Sequence, residues 1–287
     1  MLTQILFTTV LLPLVLGVVI ALVAGGASAR SILLTALLIP VAAAIASVSI
    51  EGLPPFPPIA AKQKLPVLLL IGGVVFAVLS VLSRQFANRW ILSLVGVVSL
   101  AAPAWWLGRN VLASNTTKAA TLAVVLVIVA IEIAAVSGRR AQKPSSAALP
   151  AALLATAIAT ALAAIMGGYI GMAQMNGALA ALFGGWLLVR YIAYIRGDDA
   201  AFHLQGFAAL SFIWAAAMGS TMTVLLSPSA APAALVLSVL PVAVFAVLNW
   251  RKIDFINQPR LLRPLMFGAL TAIPAIAAIV FAVVASG

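Results

Sequence analysis

The chain has 287 residues, of which 65% are hydrophobic and 7% charged, against about a quarter charged in an ordinary soluble domain. That balance excludes a soluble globular fold, and the formal charge of +11 does not mark a nucleic-acid face, because the Lys and Arg residues fall at the ends of apolar runs. With no Cys and one His, disulfides, thiolate metal sites, a cysteine nucleophile and bis-imidazole sites are also excluded.

Ten apolar runs, each long enough to cross a ~30 Å hydrocarbon layer, predict an all-α bundle of ten transmembrane helices forming one domain over residues 1–287. The spans are expected at Leu2–Val23, Ile32–Ile50, Leu65–Ser83, Trp90–Leu107, Ala119–Ser137, Ala147–Ile165, Met175–Ile195, Phe202–Leu226, Ala233–Trp250 and Leu265–Ala285. The first lacks a basic n-region and exceeds a signal-peptide core, so it is expected to span the membrane rather than be cleaved.

Between the second and third runs lies EGLPPFPPIAAKQK, residues 51–64. Pro54, Pro55, Pro57 and Pro58 remove backbone donors and favour an extended path, which makes this a stiff loop outside the membrane. Glu51 with Lys62 and Lys64 offers an outer ion pair there, and Phe56 an interfacial anchor or a docking contact. Farther along, Pro13, Pro40, Pro103, Pro241 and Pro274 fall within helices and allow kinks or hinges.

Twelve Lys and Arg residues follow odd-numbered helices and four follow even-numbered ones, Lys62, Lys64, Arg109 and Lys118. The asymmetry puts the odd connections in the cytoplasm, both termini outside, and the Pro-rich loop on the outer face of a bacterial inner membrane. Trp90, Trp105, Trp106 and Trp250 fall near predicted helix ends, where indoles favour the interface, whereas Trp186 and Trp214 lie deeper as packing residues. Small residues four apart, Gly167 and Gly171, Gly177, Ala181 and Gly185, Ala215 and Gly219, predict a tight centre among helices six, seven and eight.

Four of the five acids lie in or beside connections. The exception, Glu132, is about five residues, or roughly 7 Å, from the end of helix five. It is a candidate proton- or substrate-binding group, or the partner of Arg139 or Arg190. Arg190 is a candidate gate or ion-pair residue. Tyr169, Gln174 and Asn176 lie in an expected Gly-rich turn from Gly167 to Gly177 and could bind a polar or cationic solute, with Ser220, Thr221 and Thr223 nearby. Asp198, Asp199 and His203 make an incomplete metal set and are expected to cap a helix instead. No metal site, cofactor or nucleic acid is expected.

No nucleotide-binding or hydrolase motif is present, so the expectation is not an enzyme, a lipid-acting site at Glu51, Lys62 and Lys64 being the weakest reading. Two readings stand ahead of it. One is a small-solute secondary transporter working by alternating access. The other is a scaffold or accessory subunit of a larger membrane complex, or a homo-oligomer, docking through Glu51, Pro54, Pro55, Phe56, Pro57 and Pro58.

Overall fold

The computed structural model describes residues 2–82, 89–137, 146–253, 255 and 257–286. The chain is all-helical, with no strand among the described residues and ten helices long and apolar enough to cross a membrane. They are α1 Thr3–Ala24, α2 Ala29–Glu51, α3 Ala61–Leu82, α4 Arg89–Ser114, α5 Thr116–Ser137, α6 Ala148–Met166, α7 Ile170–Ile195, α8 Gly206–Leu226, α9 Pro232–Arg251 and α10 Leu262–Ser286.

Helix ends follow local chemistry. Ser28 caps α2 by accepting from the Ser31 N–H at 3.1 Å, and Gly52 closes it at φ 84°, a value that suits a residue without a Cβ. Within α1 the turn Phe7–Leu11 is π-helical, just where Pro13 has no N–H to give Thr9. The fourth and fifth helices meet at Asn115 alone, whose side chain accepts from the Lys118 N–H at 2.9 Å. The expected connection over residues 108–118 is thus mostly helical. Arg109 belongs to α4 and Lys118 to α5, because polarity alone does not end a helix and Arg and Lys are good helix formers. Trp105 and Trp106 consequently sit more than a turn inside α4 rather than at its end.

Helix α8 is the axis. Within its membrane-crossing window 94% of residues are buried, and it touches α2, α3, α4, α5, α9, α6 and α7, which close a ring around it in that order. A helix buried on all sides needs no apolar stripe, and this one carries Ser211, Ser220, Thr221 and Thr223 among Ala, Gly and aromatic residues. Phe76 and Phe212 meet the two deep indoles edge-on, Trp214 at 6.1 Å and Trp186 at 5.2 Å.

Outside the ring, α1 packs on α2 and α7, and α10 on α6 and α9. The glycine stripe of α7 serves α1 as well as the centre. A Cβ at Gly185 would strike the Leu14 carbonyl, and one at Gly17 the Leu182 carbonyl, so each helix lends the other a bare backbone. The expected tight centre of helices six to eight is therefore broader, with α8 alone in the middle.

Candidate functional site

At the end of the bundle carrying the Pro-rich loop, four helices bring polar side chains to one level. Thr160 on α6, Asn176 on α7, Ser220 on α8 and Ser238 on α9 each lie about six residues, or ~9 Å, from that end. All four are buried. Thr160 Oγ1 lies 3.1 Å from Ser238 Oγ and 3.5 Å from Ser220 Oγ. Asn176 Nδ2 donates to Thr223 Oγ1 at 2.9 Å and to the Met172 carbonyl at 2.8 Å.

Among the described residues, Asn176 Oδ1, Thr221 Oγ1 and Thr156 Oγ1 are buried without hydrogen-bond partners. A Cβ at Gly219 would collide with Asn176 Oδ1, so the glycine is what lets the amide lie against α8. The layer thus holds acceptors with spare capacity.

The Gly-rich turn is shorter than expected. Gly167, Gly168 and Tyr169 form it, with Gly168 at φ 76°, while Gln174 and Asn176 belong to the first two turns of α7. Gln174 is half-buried and Asn176 fully so. Above them, Glu51 Oε2 pairs with Lys62 Nζ at 2.8 Å, and a Cβ at Gly171 would meet the Glu51 carboxylate. Burial, and then the Glu51 charge, push the Tyr169 phenol above its usual value of 10.0. Tyr169 and Glu51, assigned separately to a solute site and a docking loop, are therefore neighbours. A small polar pocket of about 120 Å³ is framed by Ser47, Glu51, Lys62, Gln63 and the loop prolines Pro54 and Pro55.

The loop itself includes a cis Phe56–Pro57 bond and projects apolar side chains. Leu53, Phe56 and Ile59 are 86%, 97% and 81% exposed, and Pro54, Pro55, Pro57 and Pro58 connect them. Lys64 Nζ lies 4.7 Å above the Trp106 ring.

The opposite end is held by arginines. Arg190, buried on α7, donates through Nε to the Ala201 carbonyl and through Nη2 to Asp198 Oδ2 at 3.1 Å. A Cβ at Gly25, just past α1, would strike its guanidinium. Arg260 reaches the same connection from the α9–α10 segment, 2.8 Å from Asp199 Oδ1 and 2.6 Å from the Tyr194 carbonyl, with its guanidinium 4.5 Å above the Tyr194 ring. Asp198 also accepts from the Ala200 N–H at 2.9 Å, a local turn bond. Both aspartates are thus engaged by arginines, and among the described residues no three His, Asp or Glu groups gather as a metal site would require. His203 Nδ1 is buried in the same connection without a partner among the described residues, and burial lowers its pKa from 6.5.

Glu132 is 1% exposed on α5, and its Oε1 has no hydrogen-bond partner among the described residues. Arg190, one expected partner, takes Asp198 instead; Arg139, the other, lies outside the described residues. The structure does not bring Glu132 together with the polar layer, which lies toward the other end of the bundle.

Thr160 and Ser238 were not legible as site residues, because serine and threonine in membrane helices usually bond to their own backbone. Their equal distance from the loop end, once helix bounds are known, is the signal that groups them. No family model, curated protein or solved structure matches the chain.

Proposed function

We propose that this multi-pass membrane protein is a small-solute secondary transporter, and that the layer of Thr160, Asn176, Ser220, Thr223 and Ser238 is where a small polar or cationic solute is held. The observation that carries the reading is the buried Asn176 amide of α7, its Oδ1 without a partner among the described residues, at the level of buried hydroxyls from α6, α8 and α9. A purely structural clamp needs only the bonds already made, whereas spare acceptors suit a ligand that donates.

In this reading the basic end faces the cytoplasm of a bacterial inner membrane, in line with the excess of Lys and Arg there. The Arg190–Asp198 and Arg260–Asp199 pairs close that side, and Glu132 exchanges a proton as the bundle alternates. Pro40, Pro103, Pro241 and Pro274 within α2, α4, α9 and α10 supply the give such a rearrangement needs. The function needs no cofactor and is not enzymatic.

The test is uptake into proteoliposomes of the purified chain, with neutral amino acids, polyols and polyamines offered under an imposed proton gradient. At least one class accumulates, and Asn176→Ala abolishes its accumulation. No accumulation of any class by folded protein overturns the reading.

A second reading, an accessory subunit or homo-oligomer, is favoured by one observation, the exposed Leu53, Phe56 and Ile59 on the prolyl loop. Native mass spectrometry after gentle extraction from the source membrane separates the two. A stoichiometric assembly that dissociates on Phe56→Ser supports docking, and a lone chain or homodimer unaffected by that change supports transport.

A further inference from the structure

The polar pocket at the loop end, about 120 Å³, lies between the last two turns of α2 and the first turns of α3. Ser47 and Glu51 wall it on one side and Lys62 and Gln63 on the other, with Pro54 and Pro55 beside them. Ser47 stands out among the buried serines. Ser80, Ser211 and Ser238 each bond to the carbonyl three residues back, the usual outlet for a hydroxyl in an apolar helix. Ser47 is 3% exposed and lines the pocket, yet makes no hydrogen bond among the described residues.

The charged groups around it also keep capacity in reserve. Glu51 gives Oε2 to the Lys62 ammonium at 2.8 Å, while its Oε1 rests against the bare Gly171 with no hydrogen-bond partner among the described residues. Lys62 has three N–H donors, and this bond takes one. Gln63 Oε1 is filled by the N–H groups of Ile59 at 3.1 Å and Ala60 at 3.0 Å, so this amide can only donate further. Ser47 and Glu51, one turn apart on the same face of α2, thus offer acceptors, and Lys62 and Gln63 offer donors.

Charge and size then select the ligand. A lone anion would face Glu51 and a lone cation would face Lys62, whereas a molecule bearing both charges can meet each with its opposite. The helix ends agree, since the C-terminal end of α2 carries partial negative charge and the N-terminal end of α3 partial positive charge. The pocket is a little smaller than the ~150 Å³ cavity that takes a benzene ring, so it admits about six heavy atoms. We propose that it binds a compact zwitterion, a primary ammonium two or three bonds from a carboxylate or phosphate. The ammonium donates to Glu51 Oε1 and Ser47 Oγ, and the anion accepts from Lys62 Nζ and Gln63 Nε2. A small free amino acid and the headgroup of phosphatidylethanolamine share this chemistry, and headgroups lie at the level of helix ends. The site is separate from the layer around Asn176 and does not rest on the transport reading.

The experiment uses the full chain in two arms. In nanodiscs of phosphatidylcholine, whose quaternary ammonium has no N–H to donate, ligand-detected NMR compares glycine and β-alanine with the single-charge probes ethylamine and propionate. In nanodiscs of equal phosphatidylethanolamine and phosphatidylcholine, native mass spectrometry reads which lipid stays bound. The predicted result is an amino acid bound about ten-fold or more tightly than either single-charge probe, which identifies a free solute, or phosphatidylethanolamine retained over phosphatidylcholine, which identifies a headgroup. Ser47→Ala weakens the preferred ligand about ten-fold, the size of one hydrogen bond to a charged group. Lys62→Gln abolishes the preference for β-alanine over ethylamine in the first arm and lipid selectivity in the second. Should one variant fail to give a monodisperse chain, the other carries the comparison. Equal binding of all four probes together with equal retention of both lipids, or a preference unchanged in folded Ser47→Ala or Lys62→Gln chains, overturns the proposal.

Discussion

The Asn176 side chain spans two helices, donating from Nδ2 to Thr223 Oγ1 at 2.9 Å while its Oδ1 rests against Gly219 with no donor among the described residues. One amide thereby both joins α7 to α8 and presents an unused acceptor. Its geometry depends on a glycine one turn before its partner.

Gly219→Ala forces the new methyl into Asn176 Oδ1 and the Leu179 side chain. Overpacking of this kind costs about 1–3 kcal/mol. The loss appears as a lower unfolding midpoint in detergent. Asn176→Ala removes the obstacle, so the double variant is more stable than the two single losses summed; additive losses would place the collision elsewhere.

Arg190 ties α7 to the connection at Asp198 and Ala201, and its guanidinium lies against the bare Gly25 after α1. Arg190→Ala leaves the Ala201 carbonyl short of a donor and costs about 1–3 kcal/mol, with Asp198 partly relieved by solvent. Arg190→Lys restores little, since an ammonium cannot serve both acceptors in the planar geometry of a guanidinium. Unfolding midpoints of the two variants within about 1 °C of wild type would contradict this role.

His203 predicts a pH dependence of the same connection. Burial lowers its folded-state pKa below the ordinary 6.5, so the unfolded chain binds the proton more readily. The sign follows: stability is unaffected by this group above about pH 7 and falls as the pH drops below ~6.5, levelling once the folded-state pKa is passed. His203→Gln, which cannot charge, flattens that part of the profile. Thermal midpoints measured from pH 7.5 to 5.0 check it, and an identical slope in the variant would contradict it.

The helix count was legible because each span is a long apolar run bounded by basic, prolyl or glycyl residues, and nothing else explains such runs. The pairing of Glu51 with Lys62 was legible too, from two opposite charges flanking one stiff loop. What the sequence hid was neighbourhood. In α4, Arg109 and Asn110 read as loop residues because polarity resembles a boundary, yet without a breaker the helix runs on to Ser114. The axial place of α8 was hidden because every span is apolar on all sides. Only its hydroxyls and small residues, which fit poorly against lipid, hinted at the interior. For Arg190 the choice between Glu132 and Asp198 turns on how a short connection folds back, which periodicity does not encode.

The most direct measurement of the transport claim is solute accumulation in proteoliposomes by the wild type, Asn176→Ala and Glu132→Gln chains, each verified as folded. Accumulation of one polar or cationic class by the wild type, abolished by Asn176→Ala and uncoupled from the proton gradient by Glu132→Gln, is the predicted result. Equal accumulation by all three chains, or none by the wild type, would contradict it.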